Sequence, residues 1–123
     1  MANVLIVEDE AAIARLIEHY LGSFGHSVRT VGNAADSMKW LSTEKFDLVV
    51  MDVLIAGPPD GLDVCRMLKN APDTGGPSIL IISGLPGMED EARAAGADAF
   101  LAKPFRLEDV KLAAANLTRR HLN

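Results

Sequence analysis

Short runs of apolar residues recur along the chain and are separated by longer segments of mixed polarity. Five of them are rich in Val, Ile, Leu or Ala, namely Val4–Val7, Val28–Val31, Leu48–Met51, Ile79–Ile82 and Ala99–Ala102. The third and fourth runs contain no alternating polar positions, as is typical of strands that helices cover on both faces. The pattern therefore predicts five short strands, of which at least the central ones are buried.

The segments between the runs have helical periodicity. In the first segment, one helical face carries Ile13, Leu16, Ile17, Tyr20 and Leu21. Asn33 is a candidate N-cap of a second helix, and a third helix is expected after Gly61. The fourth is predicted over Met88–Ala95, where Gly96 ends it, and the fifth runs from Leu107 to about Arg120.

Strands that alternate with helices predict an α/β fold with a parallel sheet and helices on both of its faces. The commonest order for five such strands is 2-1-3-4-5, the flavodoxin-like doubly wound arrangement. The Pro- and Gly-rich stretches Ala56–Gly61, Asn70–Pro77 and Gly84–Gly87 are short enough to be loops rather than linkers. We therefore expect one domain over residues 1–123, with five helices and a core over about residues 3–121.

Composition narrows the class of protein without identifying its function. Apolar residues make up 49% and charged residues 24% of the chain, which excludes disordered and low-complexity classes. The net charge of −5 disfavours direct binding to nucleic acid or to an anionic membrane. Cys65 is the single cysteine and cannot form an internal disulfide. We expect a cytoplasmic protein without a signal peptide or a membrane span.

Polar residues follow four of the five predicted strands directly. The first strand is followed by Glu8, Asp9 and Glu10, and the third by Asp52. Ser83 follows the fourth strand and Lys103 the fifth. Ligands of open parallel sheets bind beyond the carboxyl ends of the strands, where the strand order reverses. In the order 2-1-3-4-5, Asp9 and Asp52 would face each other there, with Ser83 and Lys103 beside them.

These residue types suit phosphoryl transfer. Carboxylates packed together repel each other unless a cation lies between them. Mg²⁺ takes one or two carboxylates and holds phosphoryl oxygens in its other positions. A lysine ammonium and a serine hydroxyl can bind further phosphoryl oxygens, and a carboxylate can be the nucleophile.

Four sequence motifs resemble those of one known family. They are Val-Glu-Asp-Glu at residues 7–10, Val-Val-Met-Asp at 49–52, Ile-Ile-Ser-Gly at 81–84 and Gly-Ala-Asp-Ala-Phe-Leu-Ala-Lys-Pro-Phe at 96–105. In this order and spacing they resemble the receiver domain of bacterial two-component response regulators, which includes the stand-alone chemotaxis regulator. The resemblance covers about residues 3–121, essentially the whole chain.

The resemblance implies a phosphorelay signalling switch that assists its own Mg²⁺-dependent phosphotransfer and slow self-dephosphorylation. It implies that Asp52 is the phosphoacceptor. The implied Mg²⁺ ligands are Asp9, Asp52 and the main-chain carbonyl of Leu54, with Glu8 binding through water. Ser83 and Lys103 would bind the phosphoryl group, Ser83 and Phe100 would be the switch residues, and the bond before Pro104 would be cis. The implied partners are a histidine kinase or phosphotransfer protein and a downstream protein or effector domain. We expect a monomer or weak dimer.

The chain departs from the family pattern at several positions. Ala56 stands where the family usually has proline. The glycine that is usually the eighth residue after the aspartate is here Gly61, the ninth after Asp52, so the loop is one residue longer than usual. The segment between Ser83 and Lys103 is shorter than usual. Leu54 and Leu85, each two positions beyond a site residue, are apolar and cannot orient a water molecule, so we expect slow self-hydrolysis.

Other interpretations of these residues stay open. The acids after the first strand are also typical helix caps, and Phe100 is as consistent with a half-buried core position as with a switch. A pseudo-receiver would bind a partner without phosphorylation. A small phosphatase with Asp52 as nucleophile would need a second acid two residues on, where Leu54 stands. Nucleotide binding would need a Gly-rich loop after the first strand, which the sequence lacks.

Overall fold

The computed structural model describes residues 2–55, 59–70 and 76–122, with side chains described to residue 119. Residues 56–58 and 71–75 belong to two of the three predicted loops, so the prediction of a longer loop after Asp52 lies partly outside the described residues.

Five strands and five helices alternate along the described residues. The strands are β1 (Asn3–Val7), β2 (Ser27–Val31), β3 (Leu48–Asp52), β4 (Ser78–Ser83) and β5 (Ala99–Ala102). The helices are α1 (Ala11–Gly22), α2 (Ala34–Thr43), α3 (Gly61–Lys69), α4 (Glu89–Ala94) and α5 (Leu107–Leu122). The predicted α/β class with five strands and five helices is confirmed.

The strands form one parallel sheet in the order β2-β1-β3-β4-β5. This is the flavodoxin-like order that was expected. Every residue of β3 and β4 is buried, because these strands have a neighbour on each side and helices on both faces. The edge strands β2 and β5 are only partly buried, so polar residues are tolerated in β2.

Two hydrophobic cores lie on opposite faces of the sheet. Successive strand residues alternate between them, since neighbouring side chains of a strand point to opposite faces. One core joins Leu5, Val49 and Ile81 to residues of α2, α3 and α4. The other joins Ile6 and Val50 to residues of α1 and α5. The two cores therefore hold the helices against opposite faces of the sheet.

The helix ends show which local signals in the sequence were decisive. The Asn33 side chain accepts a hydrogen bond from the Asp36 N–H at 2.8 Å, so Asn33 is the predicted N-cap of α2. Gly96 follows α4 with φ of +102°, a conformation that glycine adopts without strain.

Leu16 was expected on the buried face of α1 but is 57% exposed, because it lies at the rim of a groove between α1 and α5.

Among the described residues, no helix is both long enough and apolar enough to cross a membrane.

Loss of the α2 cap should destabilise the fold by about 1 kcal/mol. Asn33→Ala removes the acceptor of the Asp36 N–H, whereas Asn33→Asp keeps one. We expect urea unfolding to show a lower midpoint for Asn33→Ala and a nearly unchanged one for Asn33→Asp. Equal midpoints for the alanine variant and the wild type would contradict the capping role.

Candidate functional site

The register of the sheet brings the predicted polar residues to one edge. Val7 pairs with Met51, Asp52 with Ile82, and Ser83 with Ala102. The residues that end or follow β1, β3, β4 and β5 are therefore neighbours, although almost the whole chain separates the first from the last. This edge is the carboxyl end of the sheet, where the order of a doubly wound sheet leaves a crevice.

Three carboxylates converge in this crevice. Glu8, Asp9 and Asp52 each place a carboxylate oxygen within 4.8 Å of the others. Glu8 and Asp52 are buried, whereas Asp9 is exposed at the mouth. The cluster thus has a desolvated floor and an open side, through which a ligand could enter.

Lys103 compensates part of this negative charge. Its ammonium nitrogen Nζ lies 2.7 Å from Glu8 Oε1 and 3.0 Å from Asp52 Oδ2, and it donates a hydrogen bond to each. Its side chain is only 16% exposed. Glu10 lies farther from it, at 3.8 Å, and its side chain is 65% exposed. Glu10 is the third of the acids that follow β1, and the family resemblance implies no role for it.

Burial and charge act in opposite directions on these groups. The pKa of Glu8 is raised from 4.5 to about 7, mainly by burial and further by the neighbouring Asp52, while Lys103 opposes the rise. Burial by itself lowers the pKa of Lys103, but its hydrogen bonds to Glu8 and Asp52 outweigh that effect and leave this pKa raised. Lys103 therefore stays charged at neutral pH, while burial favours the protonated form of Glu8.

The donor set of the cluster fits a hard divalent cation. Mg²⁺ prefers carboxylate and carbonyl oxygens, and carboxylate oxygens are what Glu8, Asp9 and Asp52 provide. The main chain of Leu54 lies next to the Asp52 carboxylate, because the Leu54 N–H donates a hydrogen bond to Asp52 Oδ1 at 3.2 Å. Among the described residues no buried side-chain polar atom lacks a partner, and Lys103 is the partner of Glu8 Oε1 and of Asp52 Oδ2.

The remaining predicted residues lie around this cluster. The Ser83 side chain is buried and its Oγ accepts the N–H of Leu85 at 3.0 Å. Phe100, in β5, is half-buried and packs against the core that contains α2, α3 and α4. The peptide bond between Lys103 and Pro104 is cis. Leu54 and Leu85 expose 55% and 37% of their surfaces beside the crevice.

The alternative that the acids after β1 cap α1 is not supported. Glu10 occupies the N-cap position, but its side chain makes no capping hydrogen bond. The carboxylate of Glu8 accepts the Glu10 N–H only at 3.4 Å, whereas it accepts the Lys103 ammonium at 2.7 Å. Glu8 therefore serves the crevice rather than the helix end.

The pKa of Glu8 should make stability depend on pH in the metal-free protein. Between pH 4.5, its ordinary pKa, and about 7, its pKa in the folded state, the folded protein holds a proton that the unfolded chain has released. Stability should therefore fall as the pH rises through this window, by more than about 1 kcal/mol.

Urea unfolding in a chelating buffer at several pH values measures this effect. Glu8→Gln should flatten the decline, because the amide cannot titrate. Glu108→Gln, at an exposed position in the first turn of α5, should keep it. A Glu8→Gln curve with the wild-type slope would be incompatible with a raised pKa at Glu8.

The chain is similar in sequence to known regulators. The chain is 34% identical over 114 residues to the DNA-binding transcriptional regulator NtrC of Azospirillum brasilense, with 89% of this chain and 22% of that protein aligned. Over the curated relatives that it matches first, the chain spans between 22% and 51% of their length.

Solved structures share the whole fold. The receiver domain of the Francisella response regulator 1452 superposes with a TM-score of 0.89 at 22% identity, covering 98% of this chain and 99% of that one, which shows the common fold. The signal receiver domain of a signal transduction histidine kinase from Syntrophus aciditrophicus is 30% identical, with a TM-score of 0.86 and coverage of 97% and 91%.

The model of the response regulator receiver domain family matches residues 4–115, which include every polar residue of the crevice. The chain therefore belongs to the response regulator receiver domain family, the phosphorelay signalling module of two-component systems.

Proposed function

We propose that this chain is a phosphorylation-controlled switch in which Asp52 accepts a phosphoryl group from a histidine kinase or a phosphotransfer protein. The observation that supports this best is the shared contact of Lys103 with Asp52 and Glu8, at 3.0 and 2.7 Å, on the floor of an acidic crevice. A buried carboxylate with a fixed cation beside it can act as a nucleophile toward a negatively charged donor, since the cation reduces the repulsion between them.

The chemistry is a displacement at phosphorus. A carboxylate oxygen of Asp52 attacks the phosphorus atom of a phosphohistidine, the new O–P bond forms, and the P–N bond breaks. The electron pair of that bond goes to the imidazole nitrogen of the donor. Leu54 holds Asp52 Oδ1 through its N–H and Lys103 holds Oδ2, so the carboxylate plane is set before the donor arrives.

Magnesium is the cofactor that the crevice suits. Asp9, Asp52 and the main-chain carbonyl of Leu54 would hold it directly, and Glu8 would do so through water. Bound Mg²⁺ would neutralise carboxylate charge and hold a phosphoryl oxygen. Lys103 would then release part of its contact with the acids and pair with the phosphoryl group.

The switch in this proposal is a change of partner at Ser83. The Ser83 hydroxyl now accepts the Leu85 N–H, and its own proton is available to a phosphoryl oxygen. If Ser83 turns toward a phosphoryl group, the loop before α4 would follow, and half-buried Phe100 would move inward from β5. The output face would then be the surface of α4, β5 and α5.

The proposed partners are the donor and a downstream protein or effector domain. Relatives such as NtrC are much longer than this chain, and that protein is named as DNA-binding. For the residues of this chain, the net charge of −5 still favours a protein partner over direct contact with DNA. A cytoplasmic location and a monomer or weak dimer stay predictions.

Substitution of Asp52 should abolish phosphorylation. With Mg²⁺ and radiolabelled acetyl phosphate, we expect Asp52→Asn to reduce incorporation of label to background, because the amide is not a nucleophile. Asp90→Asn, at an exposed position in α4, removes the same charge away from the crevice and should label like the wild type.

The outcomes of this experiment separate the candidate functions. Label that persists in Asp52→Asn would refute Asp52 as the acceptor. A wild type that takes no label from acetyl phosphate or from a panel of histidine kinases would favour a pseudo-receiver. Rapid multiple turnover of acetyl phosphate without stable labelling would favour a phosphatase.

The apolar side chains of Leu54 and Leu85 should make the phosphorylated state long-lived. Neither side chain can orient an attacking water molecule, so the double variant Leu54→Asn, Leu85→Glu should lose its phosphoryl group faster. We expect an acceleration of roughly tenfold, less than the roughly hundredfold of a well-placed general base. The decay of label after removal of the donor measures it, and an unchanged half-life would contradict the expectation.

A further inference from the structure

Gly61, the first residue of α3, touches the backbone of Asp52. A Cβ atom added at Gly61 would lie 2.1 Å from the Asp52 carbonyl oxygen, 2.9 Å from its carbonyl carbon and 3.0 Å from Met51 Cγ. The two nearest of these atoms belong to the main chain of β3, which is buried throughout and cannot yield as a flexible side chain would. The φ angle of Gly61 is not in the left-handed region, so the need for glycine here is one of space.

The start of α3 is anchored, so it cannot simply retreat from Asp52. The Gly61 N–H donates to the Val53 carbonyl oxygen at 2.9 Å. Asp60 and Asp63 form a reciprocal capping box, with the Asp63 N–H donating to Asp60 Oδ1 at 2.9 Å and the Asp60 N–H donating to Asp63 Oδ2 at 3.2 Å. Beyond Gly61, the helix buries Leu62 in the core on that face of the sheet.

The groups that meet the Asp52 carboxylate belong to other elements. Glu8 follows β1 and Lys103 follows β5, so neither residue is carried by α3. A displacement of the Asp52 backbone would therefore change the position of its carboxylate relative to Lys103 and Glu8. Misplacement of a reacting group by about 1 Å can cost about a hundredfold in rate.

We propose that Gly61 is a positioning residue for phosphoryl acceptance. Because it lacks a side chain, α3 can begin in contact with the Asp52 carbonyl and hold the Asp52 carboxylate at the distance that Lys103 requires. This inference rests on the proposed function of Asp52 as the acceptor.

Gly61→Ala is the direct test, with two glycine controls outside the crevice. A Cβ added at Gly22 or at Gly76 would meet no atom within 4 Å. Gly22→Ala and Gly76→Ala should therefore label with acetyl phosphate like the wild type. Gly61→Ala should label at least roughly tenfold more slowly per folded molecule.

A variant that loses stability without a steric clash distinguishes an effect on the position of Asp52 from an effect on folding. Val64→Ala removes buried volume from the same helix and adds no atom against Asp52. It should lower the urea midpoint and leave the labelling rate of the folded protein unchanged. The expected loss in Gly61→Ala lies in the maximal rate at saturating acetyl phosphate, with a shift of the Leu54 amide signal in NMR, because that N–H donates to Asp52 Oδ1.

Asp60 provides a second test if Gly61→Ala does not fold. Asp60→Ala removes the cap that fixes the start of α3, whereas Asp60→Asn removes the same charge and keeps a capping oxygen. We expect the alanine variant to shift the Leu54 amide and slow labelling, and the asparagine variant to do neither. Equal behaviour of the two would overturn the anchoring of Asp52 by α3.

The results distinguish this inference from the function on which it rests. If the wild type and the glycine controls label and Gly61→Ala labels equally fast, the positioning role of Gly61 is wrong and the acceptor role of Asp52 stands. If the wild type does not label at all, the proposed function fails, and an unchanged Leu54 amide in Gly61→Ala would show that α3 does not position Asp52 either.

Discussion

The constraint on which the molecule depends is the confinement of two buried carboxylates around one lysine. Glu8 and Asp52 are almost entirely removed from water, and Lys103 touches both. Removing charges from water costs several kcal/mol for each ion, which a buried ion pair seldom recovers in full. The raised pKa of Glu8 is the direct sign of this cost. Such an arrangement contributes little to the stability of the fold, but it keeps charged side chains in the crevice where a ligand would bind.

The parallel sheet makes this confinement possible. Strands β1, β3, β4 and β5 end at the same edge, and the two cores fix their registers from opposite faces. The groups that surround Asp52 are therefore carried on independent rigid elements, and small shifts of one element change the contacts of the others. Gly61 and Ser83 lie where such shifts would arise, Gly61 against the Asp52 backbone and Ser83 in the turn toward Leu85.

The family relationship shows how little sequence identity this fold needs. At 30% identity, the Syntrophus aciditrophicus receiver domain superposes with a TM-score of 0.86. Apolar residues of similar size can replace one another in both cores at modest cost in stability. This chain departs from the family pattern at Leu54 and Leu85, which are exposed apolar residues two positions beyond Asp52 and Ser83, and the scaffold is unchanged.

Local pattern was sufficient for the elements and for the candidate residues. Unbroken apolar runs predicted β3 and β4, Asn33 predicted the start of α2, and the polar residues after the strands predicted the crevice, because these signals act between near neighbours in the chain. Periodicity was wrong for Leu16, since exposure at the rim of a helix face depends on how the next helix packs. The burial of Glu8, its contact with Lys103 and the approach of Gly61 to Asp52 were decided only by the tertiary structure, because each joins groups that separate elements bring together.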